Sequence, residues 1–220
     1  MNTDQKFVIT ISRELGSGGR TIGRLLAEKL GVRYCDKEVI ESLVKEFNLS
    51  IYEIERIKAK KKNWFADFLD RVTPVPNAES FVGFKPRYGE DWNKNVTTDE
   101  LFQAESEIIK GLAEEGSCVI AGRSGFFILK DHPNKFDVFI HASRPKRIRR
   151  VMEKQQLSEE QAGIVIDAVD ASRENFVQRF SGTSRYDVRN YDLVVNVDNM
   201  TEEEAAGLIL ERIEASRKNG

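Results

Sequence analysis

The chain has 220 residues, 40% of them hydrophobic and 32% charged, a composition typical of a soluble globular protein with one large domain and a sizeable core. Its formal net charge is −2, so the sequence as a whole offers no electrostatic attraction to nucleic acid or to a membrane surface, and any anion site must be local. No apolar run approaches the roughly 18 residues that span a bilayer, and we expect a cytoplasmic protein.

A strand, a glycine cluster and a helix open the chain. The β-branched, apolar run from Lys6 to Ile11 predicts a buried strand. A cluster of glycines follows at once: Gly16, Gly18 and Gly19. The next segment has helical apolar spacing and ends before Gly31, a favourable C-cap residue, and Val32 to Cys35 predict a second strand. These segments form a βαβ unit whose glycine loop lies at the edge where open α/β sheets bind ligands.

The middle of the chain has a different character. Residues 37–47 and 51–70 are amphipathic and predict helices, whereas residues 72–95 carry three prolines and several aromatic residues and predict a long irregular segment. Helical periodicity resumes over residues 97–115. We interpret residues from about 50 to 105 as a helical insertion into the domain.

The alternation of strands and helices returns in the second half of the chain. Three further strands are predicted where short apolar runs recur: residues 117–121, 135–140 and 191–197. An arginine-rich helix follows the second of these strands, and one or two helices run from Leu157 to Arg179, with Ser158 and Gln161 in capping-box spacing. Five strands separated by helices predict a parallel sheet that is covered on both faces.

The two cysteines, Cys35 and Cys118, both lie in strand-like segments. They are too few and too far apart for a disulfide framework or a zinc motif. We therefore predict two buried free thiols.

The glycine loop is the strongest functional signal in the sequence. Glycine reaches positive φ and lets several backbone N–H groups point at one phosphate, and the helix N-terminus adds a favourable dipole. Thr21 offers a hydroxyl ligand for Mg²⁺, and Arg20 offers a fixed positive charge. A tight turn that binds nothing stays open as the alternative, whereas a dinucleotide site is disfavoured because the loop lacks the G-x-G-x-x-G spacing.

The loop departs from the standard phosphate-binding motif, G-x-x-x-x-G-K-[ST], in either of two registers. If residues 19–21 (GRT) take the place of G-K-T, Glu14 replaces the first glycine. If residues 16–18 (GSG) take the place of the central G-x-G, Gly19 falls at the lysine position. The lysine of the motif is absent in both registers.

The segment ITISRELGSGGRTIGRLLAEKLGVRYCDKEVI closely resembles the start of the cytidylate kinase-like family. The segments CVIAGRSGFFIL, FDVFIHASRPKRIRR, DAVDASRENF and NYDLVVNV resemble later parts of the same family in the same order. The resemblance implies a single domain over residues 1–220 with an α/β, three-layer P-loop kinase-like fold. It also implies that the insertion is an acceptor-binding subdomain and that residues from about 155 to 190 form a helical lid.

The resemblance further implies a reaction and a set of site residues. The reaction transfers the γ-phosphoryl group of ATP, with Mg²⁺, to a nucleoside monophosphate, with CMP and dCMP as candidates. The implied phosphate loop comprises Gly16, Ser17, Gly18, Gly19, Arg20 and Thr21. Asp36 and Arg123 match residues that bind the acceptor and its phosphate, and Asp170 and Arg173 match the D-x-x-R of the lid. Arg147 matches a basic residue at the base of the lid and is expected to contact the cofactor.

Phosphoryl transfer depends on positioning and on charge neutralisation, so arginines are the informative side chains. We predict Arg20, Arg123 and Arg173 as the catalytic residues and Thr21 as the metal ligand. The sequence also departs from the family: Ser124 replaces an aspartate and Ile166 replaces a lid arginine.

Two alternatives stay open for these reasons: a nucleotide-binding regulatory protein without turnover, and a kinase for a non-nucleotide small molecule. The expected partners are small nucleotides, without nucleic acid or membrane, and a homo-oligomer stays open.

Overall fold

The computed structural model describes residues 1–36 and 98–218. Its strands are β1 (Val8–Arg13), β2 (Arg33–Asp36), β3 (Cys118–Ala121), β4 (Lys135–His141) and β5 (Leu193–Asn196). Its helices are α1 (Gly19–Leu30), α2 (Thr98–Glu115), α3 (Gly125–Ile128), α4 (Arg144–Gln155), α5 (Glu159–Ser181) and α6 (Glu202–Lys218), and a 3₁₀ turn spans Val188–Asn190. The helices predicted over residues 37–47 and 51–70, the irregular segment at 72–95 and most of the insertion lie outside the described residues.

The sheet is parallel throughout, with the strand order β2-β3-β1-β4-β5. The strand β1 is central, and its Ile9 lies opposite Val119 of β3 and Phe136 of β4. Parallel strands bring their carboxyl ends to one edge. Arg13 at the end of β1 and Asp36 at the end of β2 therefore share that edge.

Helices cover both faces of the sheet. Successive strand residues point to opposite faces, and one set, which includes Ile9 and Val138, forms a single buried cluster with residues of α1 and α6. Burial of each large apolar side chain in such a cluster contributes about 1.5–3 kcal/mol. On the other face, a Cβ at Gly125 of α3 would lie 3.4 Å from Thr10 Cγ2 and 3.5 Å from Ile120 Cγ2, and α3 packs against α2. The predicted three-layer α/β fold with a five-stranded parallel sheet is confirmed.

Local sequence signals set the ends of two helices. Gly31 has a φ of 63° and ends α1 by donating its N–H to the carbonyls of Ala27 and Glu28. Ser158 and Gln161 exchange hydrogen bonds at the start of α5, so the predicted capping box is confirmed. The helix α5 runs without a break for 23 residues, and no helix in residues 1–36 or 98–218 has the length and apolarity to cross a bilayer.

The two cysteines yield a prediction about reactivity. Cys35 and Cys118 are free thiols in neighbouring strands, and both are fully buried, as predicted from the sequence. Burial raises the pKa of the Cys118 thiol to about 12 and also raises that of Cys35, because a thiolate loses its hydration in an apolar interior.

We expect iodoacetamide at mildly alkaline pH to leave both thiols of the native protein unmodified and to modify both in concentrated guanidinium chloride. Intact mass spectrometry counts the adducts, and rapid labelling of the folded protein would contradict the burial.

Candidate active site

The glycine loop joins the central strand β1 to α1 at the carboxyl edge of the sheet, as the sequence predicts. Gly16 and Gly18 have φ values of 84° and 85°, a conformation that glycine adopts without steric cost. A Cβ at Gly16 would lie 2.7 Å from the carbonyl oxygen of Arg147. Both the backbone conformation and the close passage over α4 therefore require glycine at this position.

Several backbone N–H groups of the loop are available to a ligand. The N–H of Ile22 donates to the carbonyl of Gly18 and makes the earliest hydrogen bond of α1. The N–H groups of four loop and first-turn residues have no acceptor within the described part of the chain: Gly16, Gly18, Gly19 and Thr21. Free N–H groups at a helix N-terminus, together with the helix dipole, favour an anion at that position.

A buried carboxylate, Asp170 of α5, anchors the loop. Asp170 is only 7% exposed, and its Oδ1 accepts a hydrogen bond from the Leu15 N–H at 3.0 Å. Its Oδ2 accepts from Arg147 at 2.6 Å, and its Oδ1 also accepts from Arg173 at 3.3 Å and from Arg185 at 3.5 Å. Asp170 thus holds three guanidinium groups around the end of β1.

The space beneath the loop is filled by protein. Arg147 is 9% exposed and donates to the Leu15 carbonyl at 3.4 Å as well as to Asp170. From this position Arg147 supports the glycine loop, and it does not line the cavity beside the loop, where a nucleotide would bind. Ile166 is buried with Val151 in a small apolar cluster between α4 and α5, so the position where the family pattern has an arginine belongs to the core in this protein.

Two cavities open at this edge of the sheet. The first, of about 370 Å³, borders the glycine loop, and we call it the loop cavity. Its lining includes Gly16, Gly18, Gly19, Arg20, Thr21 and Arg150. The second, of about 420 Å³, borders the ends of β1 and β3, and we call it the sheet-edge cavity. Its lining includes Ser12, Arg123, Phe126, Phe176, Val177 and Arg185. Arg13 and Arg173 line both cavities, so these two side chains form a shared wall.

The sheet-edge cavity combines cationic and apolar surface. Guanidinium groups of Arg13, Arg123, Arg173 and Arg185 line it together with the rings of Phe126 and Phe176. Its described lining residues include no carboxylate. Such a surface suits a ligand that carries both an anionic group and a flat apolar group.

Arg123 stands at the end of β3 in an uncommon conformation. Arg123 and Ser124 have φ values of 53° and 54°, and non-glycine residues with such values cluster at functional sites. The guanidinium of Arg123 pairs with the buried Glu105 of α2 and lies 5.9 Å from the ring centroid of Phe176. Arg123 therefore connects α2 to the sheet through an ion pair and also lines the sheet-edge cavity.

Arg20, Asp36 and Thr21 are also brought to this edge. Arg20 Nε lies 3.1 Å from Asp36 Oδ2, and the buried Asp36 lines neither cavity. The hydroxyl of Thr21 accepts a hydrogen bond from Arg150 at 3.4 Å, and Arg150 also pairs with Glu202. The predicted loop residues thus lie together, but each has protein contacts that the sequence did not indicate.

The fit of these residues to a magnesium ion is partial. Residues 1–36 and 98–218 contain no group of three histidine, cysteine or acidic side chains placed to hold a metal ion. The hydroxyl of Thr21 lines the loop cavity, where the guanidinium of Arg150 contacts it. Magnesium in proteins usually keeps several waters and binds one or two protein oxygens together with substrate phosphates. The described residues therefore suit magnesium that arrives on a polyphosphate, not magnesium held by the protein alone.

Two arginines of the site are missing from the set predicted from sequence. Arg13 ends β1, and its carbonyl accepts hydrogen bonds from Arg173 at 3.1 Å and from Arg185. Burial, reinforced by the charge of Arg173, lowers the pKa of Arg13 to about 10. Arg13 stands two residues beyond the predicted apolar strand that ends at Ile11, and this position near the ligand-binding edge is a signal that could have identified it. Arg185 lies in the loop after α5, inside the segment of residues 155–190 that the resemblance implies to be a lid.

The chain is similar to a known protein family and to two curated enzymes. The model of the cytidylate kinase-like family matches residues 8–199. A shikimate kinase of Persephonella marina is 33% identical over 105 residues, which are 48% of this chain and 54% of that protein. A shikimate kinase of Caldicellulosiruptor saccharolyticus is 30% identical over 115 residues, which are 50% of this chain and 66% of that protein. The chain therefore spans about half to two-thirds of the length of these curated relatives.

Solved structures show the same fold at lower identity. An uncharacterized protein from Eubacterium ventriosum has a TM-score of 0.69 and 21% identity, with 95% of this chain and 99% of that chain covered. A shikimate kinase from Bacteroides thetaiotaomicron has a TM-score of 0.51 and 13% identity, with 94% and 98% covered. These likenesses confirm the P-loop kinase-like fold and concern the fold alone.

The contacts of Asp170 predict a large effect on stability. Asp170→Asn keeps the shape of the side chain but removes the charge that three arginines share. We expect the free energy of unfolding to fall by about 3–5 kcal/mol, as when one partner of a buried ion pair is removed. Urea denaturation followed by circular dichroism measures the change.

A matched control lies on the same helix. Asp167 pairs with Arg144, and both side chains are largely exposed. Exposed ion pairs contribute little to stability, so Asp167→Asn should give an unfolding curve close to that of the wild type. Equal losses in the two variants would show that Asp170 does not anchor the loop.

Proposed function

The chain belongs to the cytidylate kinase-like family, and from this premise we propose that it transfers the γ-phosphoryl group of ATP to a nucleoside monophosphate, with CMP and dCMP as the first candidates. The observation that carries this proposal is the wall that Arg13 and Arg173 share between the loop cavity and the sheet-edge cavity. A donor in one cavity and an acceptor in the other would meet at these guanidinium groups. Holding two reactants in such an arrangement is a large part of phosphoryl-transfer catalysis.

The loop cavity has the features of a donor site. The N–H groups of Gly16, Gly18 and Gly19 and the dipole of α1 would bind phosphate oxygens. Arg20 and Arg150 also line this cavity and add positive charge. Magnesium on the triphosphate would neutralise phosphate charge when bound, and Thr21 is its proposed protein ligand.

The sheet-edge cavity has the features of an acceptor site. Arg123 and Arg185 would bind the acceptor phosphate, and the rings of Phe126 and Phe176 would contact the base. A phosphate monoester has its second pKa near 6 and is already largely ionised at neutral pH. It therefore needs no general base, which agrees with the lack of a carboxylate among the described lining residues.

Arg173 has the most favourable position of the three predicted catalytic arginines. It lines both cavities, and its donations to the Arg13 carbonyl and to Asp170 fix its orientation. Burial and the charge of Arg185 lower the pKa of Arg173, so an anion beside it would offset an existing electrostatic cost. We assign Arg173 to charge neutralisation on the transferred group, with Arg20 and Arg123 on the donor and acceptor sides.

Asp170 and Arg147 are positioning residues in this proposal, and neither lines either cavity. Asp170 orients Arg173, while Arg147 supports the loop from below. The helix α5, which carries Asp170 and Arg173, would form part of the lid proposed for residues 155–190 and would exclude water when it closes.

A kinase for a hydroxyl group of a non-nucleotide acid is the second candidate. The observation that favours it is that two curated relatives are named shikimate kinases. Transfer to a hydroxyl group requires a base for its proton. Asp36 is a carboxylate at the carboxyl edge of the sheet, and its ion pair with Arg20 would have to open for that role.

A coupled assay with ATP and magnesium distinguishes these functions. The acceptors are CMP, dCMP, UMP, AMP and shikimate, and calorimetry measures ATP binding in parallel. We expect turnover with a pyrimidine nucleoside monophosphate. Turnover with shikimate alone would favour the second candidate, and ATP binding without turnover on any acceptor would favour a regulatory protein.

The position of Arg173 predicts a loss of turnover on substitution. We expect Arg173→Gln to lower kcat by about 100-fold or more, because a preorganised donor to the transition state is lost. The control is Arg179→Gln on the same helix, since Arg179 pairs with Asp99 at an exposed position. Steady-state kinetics on both variants check the prediction, and similar kcat values for the two would remove Arg173 from the reaction.

A further inference from the structure

The side chain of Arg13 lies between Gly19 and Gly122, and neither position leaves room for a Cβ atom. A Cβ at Gly19 would lie 2.6 Å from Arg13 Cβ and 2.8 Å from Arg13 Cγ, closer than real contacts allow. At its other end, Arg13 Nη1 lies so close to Gly122 that a Cβ there would overlap with it. The side chain therefore runs from the first residue of α1 to the residue that follows β3.

The guanidinium of Arg13 differs in its contacts from the arginines around it. In residues 1–36 and 98–218 it forms no hydrogen bond and no ion pair, although the charges of Tyr34 and Asp36 offset part of the lowering of its pKa. The neighbouring arginines Arg147, Arg173 and Arg185 all pair with Asp170. A partly buried cation without a partner is unfavourable, and an anionic ligand would offset part of that cost.

The two registers of the phosphate-binding motif both put its lysine in the first turn of α1. The first register puts it at Arg20, and the second puts it at Gly19, the first residue of the helix. A side chain at Gly19 would enter the space that Arg13 occupies, whereas Arg20 pairs with Asp36. In the second register, Arg20 takes the position of the motif's hydroxyl residue, and Thr21 lies one residue further along the helix.

We propose that Arg13 supplies, from the strand, the cation that the standard motif supplies from the first turn of its helix, and that its guanidinium contacts the transferred phosphoryl group. This inference rests on the proposed nucleotide site. Arg13 lines both cavities, which places its charge between donor and acceptor. The side chain of Arg13 occupies the space beside position 19. This explains both why that position is glycine and why the lysine of the motif is absent.

The first test removes the charge and measures phosphate binding. We expect Arg13→Gln to weaken the binding of inorganic tripolyphosphate by about 10- to 100-fold, the range for loss of a charge-assisted contact. Calorimetry measures this binding without any turnover. Arg144→Gln is the control, because Arg144 is exposed and pairs with Asp167 outside both cavities, and it should bind tripolyphosphate like the wild type.

The second test moves the cation from the strand to the helix. Gly19→Lys should lower the stability of the wild type, because the new side chain collides with Arg13. The same change should be tolerated in the Arg13→Gly background, so a double-mutant cycle on unfolding free energies should show favourable coupling. We also expect Arg13→Gly with Gly19→Lys to bind tripolyphosphate at least about 10-fold more tightly than Arg13→Gly alone.

The outcomes separate this proposal from the proposed function. Wild-type affinity in Arg13→Gln, or no gain in the double variant, would overturn the role of Arg13. A wild type that fails to bind tripolyphosphate would overturn both proposals. Binding that depends on Arg13, without transfer to any acceptor, would support the contact of Arg13 with phosphate and overturn the kinase function.

Discussion

The carboxylate of Asp170 is the interaction on which the rest of the site depends. It accepts a hydrogen bond from the backbone of the glycine loop and holds arginines from α4, from α5 and from the loop after α5. One buried anion therefore connects four separate segments of the chain at the end of the central strand. Without its charge, these guanidinium groups would repel one another in a region where water screens them poorly.

This arrangement leaves more positive than negative charge at the carboxyl edge of the sheet. Asp170 and Glu14 together carry two negative charges against the three positive charges of Arg147, Arg173 and Arg185. Arg13 adds a further cation without an ion-pair partner in the described ranges. The chain as a whole has a formal net charge of −2. The attraction for an anion is therefore a local property of this edge, built from arginines that are distant in sequence.

The fold and the position of the loop could be predicted because their signals are local. Apolar runs identified the strands, Gly31 identified the end of α1, and the spacing of Ser158 and Gln161 identified the start of α5. The contacts of the site could not be predicted in the same way. The pairing of Arg123 with Glu105 and the contact of Arg13 with Gly122 join residues that are far apart in the chain, and no periodicity records such contacts.

Placing the cation on the strand also changes how the site is coupled to α5. The carbonyl of Arg13 accepts hydrogen bonds from Arg173 and Arg185, which belong to the segment proposed as the lid. A lysine on α1 would lack this direct backbone connection to the lid. With Arg13 as the cation, movement of α5 would act through these hydrogen bonds on the residue that is proposed to contact the phosphoryl group. Closure of the lid and alignment of the cation would therefore be parts of one motion, since the same hydrogen bonds orient both.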